Sequence, residues 1–159
     1  MKTNTIKKVL IALDYNPTAQ KVAEKGFTLA NSMNAEITLL HVTTDPEYYS
    51  SLEYSPIMGF AGYSIPLQSD VLVGIEKASY NFLDKTKQHL GDESITTLVK
   101  EGDFADTILK TAKEVHADII IMGSHSRRWL DEVLMGSVTE KVLHHSTIPL
   151  YIIPTKRHN

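Results

Sequence analysis

Two kinds of segment alternate along the chain, and hydrophobic spacing separates them. The first kind is short, apolar and rich in β-branched residues: Val9–Leu13, Ile37–Val42, Ile95–Val99, Ile119–Met122 and Pro149–Ile153. Most are unbroken hydrophobic runs, as expected of parallel strands covered on both faces. Ile95–Val99 is diluted by Thr96 and Thr97 and suits an edge strand. The second kind repeats at threes and fours. Ala19, Val22, Ala23, Phe27, Ala30 and Met33 mark a helix, with Asn16 as its N-cap and Pro17 in the first turn. Val71, Ile75, Ala78, Phe82 and Leu83 mark a second, running to about His89 and stopped by Gly91. Ala105, Ile108, Leu109, Ala112 and Val115 mark a third, capped by Asp103. Val138, Val142 and Leu143 mark a fourth. Its start, Ser137-Val138-Thr139-Glu140, has the form of a capping box, in which the two polar side chains satisfy each other's backbone amides.

The predicted order is therefore β-α-β-loop-α-β-α-β-α-β. Such alternation with short connections implies right-handed crossovers and a three-layer α/β sandwich. No repeat or linker divides the chain, so residues 1–159 read as one domain. The irregular stretch Thr44–Ser69 contains Pro46, Pro56, Pro66, Gly59, Gly62 and the tyrosines Tyr48, Tyr49, Tyr54 and Tyr63. Loops of this length are usually functional or disordered. The aromatics favour an ordered flap; a packed surface loop with no role is the equal alternative.

Composition narrows the classes. With 159 residues, 42% of them hydrophobic and 22% charged, the chain suits one globular core. Sixteen Lys+Arg against nineteen Asp+Glu leave a net charge of −3, which argues against nucleic acid as the main partner. The pairs Arg127-Arg128 and Lys156-Arg157 read as solvated surface. Without cysteine, disulfides, thiolate metal sites and Cys nucleophiles are excluded. No apolar run approaches the roughly 20 residues that span a bilayer, and the N-terminus lacks a signal-peptide pattern. The expectation is a cytoplasmic protein with no membrane partner.

In open parallel sheets, ligands bind beyond the carboxyl ends of the strands, where strand order reverses. Asp14 follows the first strand, Val42 closes the second and Gly123 follows the fourth. A second small-residue turn, Gly136-Ser137, opens the last helix. The stretch IIIMGSHSRRWLDEVLMGSVTEKVLHHSTIPLYII strongly resembles the universal stress protein family. Nucleotide-binding members of that family carry Gly-x-x-Gly, nine residues, then Gly with Ser or Thr. Here Gly123-Ser124-His125-Ser126 precedes nine residues, Arg127 to Met135, and then Gly136-Ser137, so one glycine of three is replaced, by Ser126. The likeness extends to the opening KKVLIALD and the second-strand LLHV.

The resemblance implies a Rossmann-like α/β fold of the adenine nucleotide alpha hydrolase type, with five parallel strands in order 3-2-1-4-5 and two helices on each face. It implies a site for ATP or a related adenine nucleotide, with Asp14 near the adenosine and the backbone of Val42 at the adenine edge. Gly123, Ser126, Gly136, Ser137 and Val138 fall where ribose and phosphates are met. A helix N-terminus and glycine turns suit phosphate oxygens. A triphosphate's charge calls for Mg²⁺ bridging it and for Arg127 or Arg128 nearby. Ser126 keeps the amide and adds a hydroxyl, while its side chain narrows the approach. The resemblance also implies a homodimer through the last strand, Ile148–Ile153, a largely apolar sheet edge that proteins normally cover.

Plainer readings stand beside these. Asp14 can simply end a strand, Gly123 and Gly136 can be turn residues, and the capping box alone accounts for Ser137. His116, His125, His144 and His145 lack the i, i+4 spacing and third ligand of a zinc site, so His144 and His145 read as helix C-terminal residues. No Gly-x-Ser-x-Gly elbow and no Walker Gly-Lys-Ser/Thr is present, so no catalytic residue is assigned and slow hydrolysis is the most expected. The alternative function is a nucleotide-free dimerisation or interaction module of the same family. A phospho-acceptor receiver fits poorly, because Tyr15 stands where a second acid belongs, and DYNPT is not a flavodoxin phosphate loop.

Overall fold

In a computed structural model of the chain, which describes residues 3–14, 18–44, 68–124 and 135–155, five strands pair in parallel in the order β3-β2-β1-β4-β5. The elements run β1 (Lys8–Ala12), α1 (Ala19–Ser32), β2 (Glu36–Thr43), α2 (Gln68–Leu90), β3 (Thr96–Glu101), α3 (Phe104–Glu114), β4 (Ile119–Gly123), α4 (Ser137–His145) and β5 (Leu150–Ile153). The expected order, 3-2-1-4-5, and the edge position of β3 are both observed. Side chains that alternate along the strands divide the core into two layers. Val9, Ile11, Ile37, Leu39, Ile119 and Ile121 pack with Val22, Ala23 and Ala30 of α1 and Leu83 of α2. Leu10, Leu40, Val42, Ile120 and Met122 pack with Ala105, Ile108 and Ala112 of α3 and Val142 of α4. Two helices thus cover each face. Among the described residues no helix is long and apolar enough to cross a membrane.

β2, β4 and β5 differ from the sequence reading by one residue at one or both ends, and the departures that matter lie in β1, β3, α1 and α2. β1 ends at Ala12 and not at Leu13, because the Leu13 carbonyl turns to a side chain of β2. β3 is displaced toward its polar end, Lys100 pairing with Val42 and Glu101 with Thr43; an edge strand tolerates such charges. α2 begins at Gln68, so Gln68 and Ser69 belong to the helix and not to the long loop; its polar first turn carries no apolar periodicity. α1 has Thr18 at its N-cap with no side-chain cap bond, while Asn16 and Pro17 lie outside the described residues. The Asp103 cap is as expected, its carboxylate accepting the Asp106 N–H at 3.0 Å. That bond, and Lys141 after it, hold the Asp103 pKa below the usual carboxylate range. Gly91 ends α2 at φ +72°, a left-handed conformation that glycine adopts freely.

At the amino end of the sheet, Asp118 joins β4 to β1. Its carboxylate accepts the backbone N–H groups of Lys7 (2.8 Å) and Lys8 (3.0 Å), and these two bonds lower its pKa. A carboxylate with a depressed folded pKa adds stability above its unfolded pKa, and that stability is lost as pH falls through the folded value. Asp118→Ala should therefore cost about 1 kcal/mol at neutral pH, reduced by solvent exposure, or about 3 °C in Tm. The gap between variant and wild type should close as pH drops below the ordinary carboxylate range. Thermal melts across that range check this; a gap that persists unchanged in acid would show that the carboxylate charge contributes nothing.

Candidate functional site

The crevice is built where β1 stops short of its neighbours. In a parallel ladder each residue aims both its N–H and its C=O at one side, and successive residues alternate. Leu40 accepts the Leu13 N–H at 2.8 Å, so Leu40 faces β1; Thr43 accepts the Gly102 N–H at 2.9 Å, so Thr43 faces β3. Val42, two residues after Leu40, therefore aims its backbone edge at the β1 side. The β1–β2 register closes at Ala12 and Leu40, whereas β2 runs on to Thr43. On the other flank, Ile11 pairs with Ile121 and β4 runs on to Gly123. Strand spacing of about 4.8 Å puts the projecting ends of β2 and β4 about 10 Å apart, with Leu13 and the half-buried Asp14 between them. Asp14, Val42 and Gly123 thus share one end of the sheet, at the reversal of strand order.

The exit of β4 is tied to the entry of α4. The Gly136 N–H donates to the Ser124 carbonyl at 2.7 Å, and the Thr139 hydroxyl donates to the Gly123 carbonyl at 2.9 Å. Ser124 is buried and also joins β5: its N–H donates to Ile153 O (2.9 Å), and its hydroxyl accepts the Thr155 N–H (3.0 Å). Lys141 of α4 reaches Asp103 (3.2 Å) and Asp106 (3.3 Å) at the start of α3, and both carboxylates raise its pKa. The first turn of α4 is therefore held beside the end of β4, its leading backbone N–H groups having no carbonyl a turn earlier.

Here the capping-box expectation is corrected. The N-cap of α4 is Gly136, with no side-chain cap bond, and Ser137 is the first helical residue. One residue of shift removes the reciprocal geometry, because Glu140 then sits at the wrong distance from the cap, and its N–H is taken by the Gly136 carbonyl at 2.9 Å. Ser137 is exposed, and Val138 is half-buried. Gly136 has φ −66° and ψ 154°, a conformation open to every residue. A glycine there is not required by the turn, which favours close approach as its reason.

His41, Ser124, Thr139 and Thr155 were not assigned roles from sequence. His41 is buried, its Nδ1–H donates to the Leu13 carbonyl at 2.8 Å, and its ring meets Phe82 of α2 edge-on at 5.8 Å. A histidine inside an apolar strand was the available signal, since a buried ring must find a partner. Ser126, His125, Arg127, Arg128, Trp129 and the tyrosine-rich stretch 45–67 lie outside the described residues. His144 and His145 occupy the last turn of α4, as expected, and His116 follows α3 with φ 55°. Among the described residues no group of three His, Asp or Glu could hold a metal ion.

Comparison with known proteins agrees with this fold. The universal stress protein MJ0577 of Methanocaldococcus jannaschii is 30% identical, over 94% of this chain and 96% of its own. A solved structure of MJ0577 superposes with a TM-score of 0.75 at 27% identity, covering 97% of this chain and 99% of that one. A universal stress protein in complex with cAMP (TM-score 0.62, 16% identity, 96% and 100% coverage) shares the fold. So does one from Archaeoglobus fulgidus in complex with dAMP (TM-score 0.60, 14% identity, 94% and 98% coverage). The universal stress protein family profile matches residues 5–154, and with the strand order and the β4–α4 junction in place, the chain belongs to that family.

Proposed function

We propose that the chain binds an adenine nucleotide, ATP foremost, in the crevice above β1. The observation that carries this reading is the tied β4–α4 junction, which sets Gly123, Gly136 and the first turn of α4 beside the open end of β1. Adenosine lies toward Asp14 and Val42. Phosphates lie over Gly123 to Ser126 and Gly136 to Val138, where backbone N–H groups and the positive end of the helix dipole meet them. Asp14 repels phosphate at close range, so it faces the ribose hydroxyls. Mg²⁺ would arrive with the triphosphate and shield its charge. The cAMP and dAMP complexes of relatives support the adenine class. Mass spectrometry of small molecules released from freshly purified, denatured protein tests it, followed by calorimetry with ATP. Neither co-purified adenine nucleotide nor heat on ATP titration would leave the interaction module as the function.

One observation favours assembly as part of that function. β5 is a sheet edge, with Tyr151 43% exposed on it and Leu143 of the adjoining α4 46% exposed. A second copy pairing antiparallel through Ile148–Ile153 would cover both, in a two-fold, isologous contact. Ile153 is buried within the subunit, so a charge there probes the core; Tyr151 is the informative position. Tyr151→Lys should shift the protein from dimer to monomer in light scattering with its fold retained. An unchanged mass would place the interface elsewhere.

A further inference from the structure

We propose that His41 is a positioning residue that keeps the Val42 backbone edge open to read the base; this rests on the adenine-nucleotide reading above. The argument starts from the ladder. Were β1 to continue, the Leu13 N–H would donate to Leu40 O and the Leu13 carbonyl would accept the Val42 N–H. The first bond is present, at 2.8 Å. The second is replaced: the Leu13 carbonyl accepts Nδ1–H of the His41 ring at 2.8 Å. A carbonyl can only accept, so Nδ1 carries the proton. The side chain of the residue beside Val42 has taken the acceptor that would otherwise close over Val42, and the paired register stops at Ala12 and Leu40.

The consequence is chemical. Val42 presents an N–H donor and a C=O acceptor, side by side, toward the gap beyond β1. Adenine offers the complementary pair along its Watson–Crick edge, an acceptor at N1 and a donor at N6. Guanine held in the same pose offers the reverse, a donor at N1 and an acceptor at O6, and leaves both backbone groups facing like groups. Sites that hydrogen-bond a substrate reject an analogue that leaves their buried polar groups unpaired. His41 itself touches no nucleotide in this arrangement. It is buried, stacked edge-on against Phe82 of α2, and acts through Leu13 and Val42. The same bond fixes the direction in which the chain leaves β1, and hence the place of Asp14.

The test uses the full chain and two substitutions. His41→Leu removes the donor and releases the Leu13 carbonyl to Val42. His41→Asn returns an N–H donor near the position of Nδ1. Amide exchange of Val42 in the nucleotide-free protein should slow by about tenfold or more in His41→Leu, about the effect of one net hydrogen bond, and stay near wild type in His41→Asn. Calorimetry should show His41→Leu losing most of the wild-type preference for ATP over GTP, with His41→Asn restoring it. A merely structural role would weaken both nucleotides alike and leave the Val42 amide unmoved, and either result would overturn the proposal. If His41→Leu does not fold, the wild type decides: ATP should protect the Val42 amide and GTP should not, and equal protection by both would overturn it. A wild type that binds no ATP sinks the nucleotide reading, while the amide measurement still judges the role of His41 in the ladder.

Discussion

Gly136→Val should abolish ATP binding, lowering affinity by about 100-fold or more, while the protein remains folded. The estimate is the loss of about two charge-assisted hydrogen bonds between backbone N–H groups and phosphate. The fold should survive because valine accepts the φ of −66° and ψ of 154° found at this position. As an N-cap, valine is poorer than glycine, so a fall of about 3 °C in Tm is expected alongside. Calorimetry and thermal melts together separate the two effects. Equal ATP affinity in folded variant and wild type would mean that the phosphates lie elsewhere. Ser126→Gly, which restores the family's third glycine, should preserve or tighten binding. If it creates binding where the wild type has none, the chain belongs with the nucleotide-free members.

Gly26→Leu should be the most destabilising single change outside the site. Gly26 is buried in α1, where a Cβ would meet Ile11 Cδ1 at 2.8 Å and Ile121 Cγ2 at 3.3 Å. Both isoleucines are fully buried on the central strands β1 and β4, so neither can swing into solvent. A leucine side chain there must push α1 off the sheet. Overpacking of this kind costs about 3 kcal/mol, or about 9 °C in Tm, after the small gain from replacing glycine in a helix. Gly26→Ala should cost far less, because only the tip of Ile11 must move. Chemical denaturation of both variants checks the order. Equal stability of Gly26→Leu and wild type would show that α1 does not pack this closely.

Much of the fold was legible along the chain. Unbroken apolar runs marked Val9–Leu13 and Ile119–Met122 as interior strands, and the two threonines marked β3 as an edge, because burial on two faces leaves no room for alternation. Asp103 was readable as a cap because a cap is a local event, its carboxylate bonding an amide only three residues on. The same logic failed one residue away from success at Ser137. A Ser-x-x-Glu pattern states what a helix start can use, but tertiary bonds decide where the helix starts. The Gly136 N–H is held by Ser124 and the Thr139 hydroxyl by Gly123, and they move the cap to Gly136.

The candidate site divides in the same way. Residue types and spacing pointed to Asp14, Val42, Gly123 and Gly136, and the switch-point rule pointed to one end of the sheet. His41 stood out as a polar residue inside an apolar strand, but nothing in those patterns said which partner its ring meets, and nothing distinguished Ser124 from any small loop residue. Their roles depend on partners 28 and 31 positions away, Leu13 for His41 and Thr155 for Ser124. Hydrophobic period and capping chemistry act over one or two turns of chain, so they are written in the order of residues. Which carbonyl a buried ring reaches, and where a strand must stop, follow from register between strands far apart in sequence. Only the packed sheet decides these.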